Sequence, residues 1–226
     1  CDRTWVYRKE IFVPKEAEGR KVRLCFDGID YASEIFVNGC TVGRQEGMYI
    51  PWSCDVSGHL LYGKTNLIAV VIEPAPFEQP QVGRTSLVYT NKSRMTYWWD
   101  FCPRMVHQGI WQDAYLKITG EAEIRDWLID TRLVSGEEAK VTVQVWTHQA
   151  GGCTYRLSFG EQQLTGVVGQ DGFRCEFVLR EPRLWWCNGQ GEAYEYEVRL
   201  ELYDRQQVLS DIRTARRGIR EIEFVQ

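Results

Sequence analysis

Along much of this chain apolar and polar residues change places at every second position. Val22, Leu24 and Phe26 alternate with Arg23 and Cys25, and Val141, Val143 and Val145 alternate with Thr142, Gln144 and Trp146. Phe173, Cys175, Phe177 and Leu179 repeat the pattern. So do Tyr194, Tyr196, Val198, Leu200 and Leu202, with Glu195, Glu197, Arg199 and Glu201 between them. A period of two places one set of side chains on one face of a pleated strand, so these segments predict half-buried strands. Residues 66–72 and 110–118 read as buried strands. Ile35 and Val37 run into Asn38-Gly39 before Thr41 and Val42, and Asn-Gly supplies the positive-φ pair of a tight hairpin. No long stretch keeps a capped 3.6-residue period, so the expected class is all-β, with short strands between Gly, Asn, Asp and Pro turns.

The turns divide the chain. Before Thr119-Gly120-Glu121 they are long and irregular, and residues 73–92 contain Pro74, Pro76 and Pro80. Beyond that point strands return at the spacing of an immunoglobulin-like sandwich. Two domains are expected, residues 1–119 and 120–226. The first opens on the strand-like Trp5–Val13 with no preceding partner, so it reads as incomplete at its N-terminal side.

With 226 residues, 44% hydrophobic and 26% charged, the composition is that of a folded protein. A net charge of −4 argues against a nucleic-acid partner. The longest apolar run, residues 67–72, is too short to span a bilayer, and residues 1–15 carry no apolar core of a signal peptide. Eight cysteines include no CxxC pair. Cys25 and Cys175 lie inside strand patterns, which fits free thiols packed as small apolar groups in a reducing compartment and predicts a cytoplasmic, bacterial protein.

A search for reaction chemistry is mostly negative. Gly189-x-Gly191 lacks the third glycine of a dinucleotide loop, and P-loop, HExxH and GxSxG motifs are missing. His59, His107 and His148 share no ligand spacing and read as ordinary surface or loop histidines. No metal and no cofactor are expected. Asn91-Lys92-Ser93 fits the glycosylation sequon, which matters only in a eukaryotic secreted protein.

The informative stretch is residues 92–111, KSRMTYWWDFCPRMVHQGIW. A regular strand would set Trp98 and Asp100 on one face, which is poor core patterning and suggests an irregular loop presenting a ring beside a carboxylate. Sugars are held by that pairing, the ring covering a C–H face and the carboxylate accepting hydroxyl hydrogen bonds. A Trp-rich core with Asp100 capping a turn or paired with Arg104 fits the same residues, and composition does not choose between the two.

Several segments together resemble the N-terminal non-catalytic domains of glycoside hydrolase family 2, in its β-mannosidase branch. They are Trp5-x-Tyr7-x-Lys9-x-x-Phe12, Leu24-x-Phe26-Asp27-Gly28-Ile29-Asp30, Phe36-Val37-Asn38-Gly39 and Gly47-Met48-Tyr49-x-Pro51. Asp55-Val56, Asn66-Leu67 and Gly109-Ile110-Trp111 follow in order. In the second half, Leu184-Trp185-Trp186-Cys187-Asn188-Gly189-Gln190-Gly191 is similar to the family's LWxPNGxG turn, with Cys187 in the proline position. Residues 217–222, RGIREI, resemble the strand leaving the sandwich towards the catalytic barrel.

The resemblance implies a jelly-roll-like β-sandwich, then an immunoglobulin-like β-sandwich, then a (β/α)₈ barrel bearing both catalytic carboxylates. The expected partners are a β-linked oligosaccharide or glycoside and the protein's own barrel, with no nucleic acid and no membrane. Nothing here resembles the Asn-Glu motif of the acid/base, so no catalytic residue is expected among residues 1–226. The family's Trp-Asp-Trp loop, which reaches the terminal sugar in β-mannosidases, matches Trp99 and Asp100. Phe101 stands at the second Trp, Cys102 at a following glycine, and Pro103 matches. The Phe leaves room for a β-galactosidase or β-glucuronidase relative. A stand-alone carbohydrate-binding module and a structural or adhesin sandwich are readings of other classes.

Overall fold

Where the sequence alternates, the chain is extended. A computed structural model describes residues 3–78 and 88–222. Strands make up nearly all its regular structure, with single 3₁₀ turns at Lys15–Ala17, Ser57–His59 and Arg94–Tyr97. The chain divides into two compact units, Cys1–Ile118 and Thr119–Gln226.

The strands of the first part are β1 (Trp5–Val13), β2 (Lys21–Phe26), β3 (Ile29–Asp30), β4 (Ala32–Val37), β5 (Cys40–Glu46), β6 (Trp52–Asp55), β7 (Lys64–Ile72), β8 (Gly109–Ile110) and β9 (Ala114–Thr119). They form one sheet in the order β1-β7-β4-β5, a second in the order β6-β2-β9, and a short pair, β3-β8. The inward set from each alternating strand meets in one core: Val22, Leu24 and Phe26 from β2, Ile35 and Val37 from β4, Val70 and Ile72 from β7. Burial of such aliphatic side chains, at about 1.5–3 kcal/mol each, is the main favourable term. At the sheet edge, β1 leaves Trp5, Val6, Tyr7 and Phe12 exposed.

The Asn38-Gly39 turn closes β4 onto β5 through the Val37–Cys40 pair, with both turn residues at positive φ, +50° and +85°. Asn38 does more than turn the chain. Its Nδ2 donates to Oδ1 of the buried Asn66 at 2.8 Å, and its Oδ1 accepts the Leu67 N–H at 2.9 Å, so the hairpin tip is tied to β7. The single strand expected over residues 110–118 is two strands, β8 and β9. The break marks a change of partner: β8 pairs with β3, the Trp111 N–H extends that pairing to Gly28 O, and β9 then lies beside β2. The Trp111 indole N–H donates to Met48 O at 2.8 Å.

The second unit contains β10 (Glu123–Ser135), β11 (Glu138–His148), β12 (Thr154–Phe159), β13 (Gln162–Val167), β14 (Gly172–Arg180), β15 (Tyr196–Tyr203) and β16 (Leu209–Arg217). A sheet β10-β11-β14 faces a sheet β13-β12-β15-β16, an immunoglobulin-like arrangement in which β13 stays beside β12. Val141, Val143 and Val145 from one sheet and Leu157, Phe159, Val198, Leu200 and Leu202 from the other are the heart of its core. Tyr155 and Phe173 stack with ring centroids 3.6 Å apart. Tyr194 stands outside β15, with the Arg183 guanidinium 3.6 Å from its ring centroid.

Gly172 opens β14 at φ +140°, and a Cβ there would lie 1.9 Å from Val145 O. Gly172→Ala is therefore expected to destabilise the second unit by roughly 2–4 kcal/mol through backbone strain and overpacking. Urea denaturation followed by amide exchange in β11 measures this, and wild-type protection there would contradict the close approach.

Candidate functional site

The stretch that broke strand periodicity is an irregular loop. Its residues fold by local rules: Arg94–Tyr97 makes one 3₁₀ turn, and Trp99 and Cys102 then exchange both backbone hydrogen bonds, at 3.0 and 3.2 Å. That exchange leaves Asp100 and Phe101 as the two central residues of a tight turn. Asp100 Oδ1 accepts the Phe101 N–H at 3.0 Å, the local bond for which Asp is favoured in turns. Asp100 is exposed, Phe101 is 75% exposed, and Trp99 is half-buried. The structure thus brings Trp99 and Asp100 together at a loop tip.

Arg104 does not pair with Asp100. It donates to Glu78 O and Tyr97 O at 3.2 and 3.3 Å, and its guanidinium lies 5.2 Å from the Tyr97 ring centroid. Among the described residues Asp100 forms no salt bridge.

Tyr97 anchors the inner side of the loop. It is fully buried, and its hydroxyl donates to Pro76 O at 2.7 Å. Burial pushes its phenol up to about 12, against the partial opposition of the nearby Arg94. Glu78, also buried, accepts from Thr90 Oγ1 at 2.7 Å and from the Tyr89 N–H at 3.3 Å, and pairs with Arg94 at 3.7 Å. Between anchor and tip, Trp98 sits at φ +111°, a backbone region that favours glycine.

Sequence reasoning missed the cluster beneath the loop. Asp30 and Lys92, both buried, form an ion pair through Asp30 Oδ2. The same oxygen meets His107 Nδ1 at 2.8 Å, and Lys92 Nζ also donates to His107 O at 2.7 Å. Burial pulls the Lys92 ammonium below its ordinary value, opposed by Asp30. His107 is therefore more than a loop histidine, whereas His59 is seen at the end of a 3₁₀ turn and His148 beside Arg125. The one available signal was local: Asp30 stands between Ile29 and Tyr31, and a carboxylate in such a setting demands a cation.

An apolar cleft of about 330 Å³ in the first unit is lined by residues that include Tyr7, Ile11, Leu24, Phe26, Val70 and Tyr115, and by none from residues 92–107. Among the described residues no group of three or more His, Cys, Asp or Glu side chains could hold a metal, and no helix is long and apolar enough to cross a membrane. The seven described cysteines are free thiols, with burial raising those of Cys25, Cys153 and Cys175.

Two all-β units in tandem, the second immunoglobulin-like, define the class. The model of the glycosyl hydrolase 2 galactose-binding-like domain matches residues 1–112, and that of glycosyl hydrolases family 2 matches residues 122–220. The chain belongs to glycoside hydrolase family 2. It is 25% identical over 247 residues to β-mannosidase B of Aspergillus fumigatus, covering 100% of this chain and 29% of that protein. It is 26% identical to a β-galactosidase of Thermoanaerobacter pseudethanolicus, covering 96% and 28%. Among solved structures, β-D-mannosidase from Dictyoglomus thermophilum superposes with a TM-score of 0.74 at 25% identity, covering 98% of this chain and 30% of that one. The chain thus spans under a third of the length of these relatives.

The buried phenol gives a pH prediction. Tyr97 is pushed up to about 12 when folded, from an ordinary 10.0, so the folded state holds its proton more tightly. Its contribution is complete below about pH 10 and is lost as pH rises through about 12. An ultraviolet phenolate titration should show a late-ionising tyrosine. Tyr97→Phe should abolish that component and cost about 1 kcal/mol with the hydrogen bond to Pro76 O. A late component that persists in the variant would assign it to another tyrosine.

Proposed function

We propose that this chain is the non-catalytic N-terminal part of a retaining exo-β-glycosidase of the β-mannosidase kind. In this reading residues 1–119 belong to a jelly-roll-like sugar-binding domain, and residues 120–226 lead to a (β/α)₈ barrel that carries both carboxylates. The substrate is a β-linked glycoside, taken up by the enzyme in carbohydrate degradation. Free thiols favour a reducing, cytoplasmic setting.

The observation that carries the reading is the loop tip. Asp100 is exposed at a tight turn and unengaged by any described cation, next in sequence to the half-buried Trp99. A carboxylate so placed accepts hydrogen bonds from sugar hydroxyls, and an indole offers its face to the C–H side of the ring. In the enzyme, Asp100 orients the sugar whose glycosidic bond the barrel's acid/base and nucleophile cleave, the pair acting about 5 Å apart. Phe101 at the turn supplies bulk without an indole N–H, and this favours, as the second reading, a β-galactosidase or β-glucuronidase relative that orients a different hydroxyl.

A charge-assisted hydrogen bond is worth roughly 1.5–3 kcal/mol. Asp100→Asn in the protein carrying the barrel should therefore lower kcat/KM by about 10–100-fold with little change in melting temperature. Discrimination among sugars differing at the contacted hydroxyl should relax. Unchanged kcat/KM in a well-folded variant would remove Asp100 from the site.

Residues 1–226 alone should not hydrolyse aryl β-mannoside, β-galactoside or β-glucuronide. Turnover that survives removal of contaminating enzymes would relocate the active site. A glycan array on the same chain tests the stand-alone binding-module reading.

A further inference from the structure

The two ends of the Trp99–Asp100 loop are held in different ways. After the loop, the backbone is fixed: Gly109 pairs with Asp30, and the Trp111 N–H donates to Gly28 O. Before it, among the described residues, no strand pairing ties residues 88–93 to a sheet. What reaches the sandwich from that side is the side chain of Lys92. Its ammonium, fully buried, meets Asp30 Oδ2 and also His107 O at 2.7 Å. Asp30 Oδ2 in turn takes His107 Nδ1 at 2.8 Å. One carboxylate oxygen therefore gathers the residue that enters the loop and the residue that leaves it, 15 positions apart in sequence.

We propose that Asp30 and Lys92 are positioning residues, whose buried ion pair fastens the entry of residues 92–107 to the sandwich and so fixes where Trp99 and Asp100 stand. The fastening itself follows from the cluster. Its consequence for a sugar rests on the function proposed above. Asp30 Oδ1 is buried and has no hydrogen-bond partner among the described residues, so the carboxylate is held there at a desolvation cost only partly offset. An apolar or neutral pair filling the same space would avoid that cost. A role confined to packing would be met equally well by such a pair, whereas fastening needs the charge-assisted bond.

That difference sets the experiment. Amide exchange is measured in this chain at Trp99, Cys102 and Met105, whose N–H groups bond within the loop, and at Ile35 and Val70 in the core strands. The double variant Asp30→Asn/Lys92→Met removes both charges and leaves neither one buried alone. It should melt close to the wild type while the loop amides exchange about tenfold faster and the core amides are unchanged. Asp30→Asn alone keeps the shape of the side chain but leaves the Lys92 ammonium buried without its counter-charge, so it should melt below the double variant and accelerate the same loop amides at least as much. Wild-type loop protection in either folded variant would overturn the proposal.

In the protein carrying the barrel, the double variant should lower kcat/KM in the same direction as Asp100→Asn, and combining the two should add little further loss. A loosened loop with full activity, where Asp100→Asn is itself impaired, would overturn the positioning role. A loosened loop with both enzymes fully active would uphold the fastening and sink the sugar-binding role of Asp100 instead.

Discussion

A carboxylate inside a β-sandwich must be neutralised where it stands, and the first unit is organised around that requirement at Asp30. Asp30 is buried, and so are its neighbours Ile29 and Tyr31 on either side of it. Solvent cannot serve it, and a lone buried charge would cost several kcal/mol. The cation comes from 62 positions further along the chain, on Lys92, and the route that brings Lys92 inward also fixes the base of the loop beyond it. Tyr97 and Glu78 continue the same logic one step out, each a buried polar side chain whose partners lie on the segments flanking the loop. What reaches solvent is the short turn that none of these contacts uses.

The strands were legible because their information is local. Period-two patterning marks an inward face without reference to any partner, and β2, β11 and β15 bury the residues that alternation selected. The Asn38-Gly39 turn was legible for a similar reason, since only certain residues tolerate its backbone angles. The Asn38–Asn66 link and the Asp30–Lys92 pair left no such mark. Each is a single polar contact between distant segments, and any of many residues could have been the partner. The break at Trp111 escaped because periodicity does not say which strand a segment pairs with, and here the chain changes partner from β3 to β2. Trp98 and Asp100 stand out because together on one strand face they violate the pattern, whereas Trp99 is marked only by the family resemblance. The rest of the cluster conforms to the pattern and was passed over.

Trp98 shows how firmly the loop is determined by its surroundings. A bulky residue at φ +111° stores backbone strain of about 1–3 kcal/mol, and it keeps that angle only where neighbouring contacts prevent relaxation. Here the preceding residue is locked by the Tyr97 hydroxyl and the following one by the paired bonds of Trp99 and Cys102. The angle is the price of joining a buried anchor to an exposed turn in one step.

The outer edge of β1 bears on how the chain behaves in concentrated solution. Nine residues run there with Trp5, Val6, Tyr7 and Phe12 open to solvent and, among the described residues, one row of backbone groups facing no neighbour in the sheet. Such an edge is a template for another strand, including that of a second copy in a crowded preparation. Arg8, Lys9 and Glu10 interrupt the aromatics at the middle of the strand and act as gatekeepers, since stacking copies in register would set like charges against each other. Colloidal behaviour of the chain therefore depends on three charged residues that contribute nothing to its core, and salt, by screening them, should be the solution variable to which that behaviour responds most steeply.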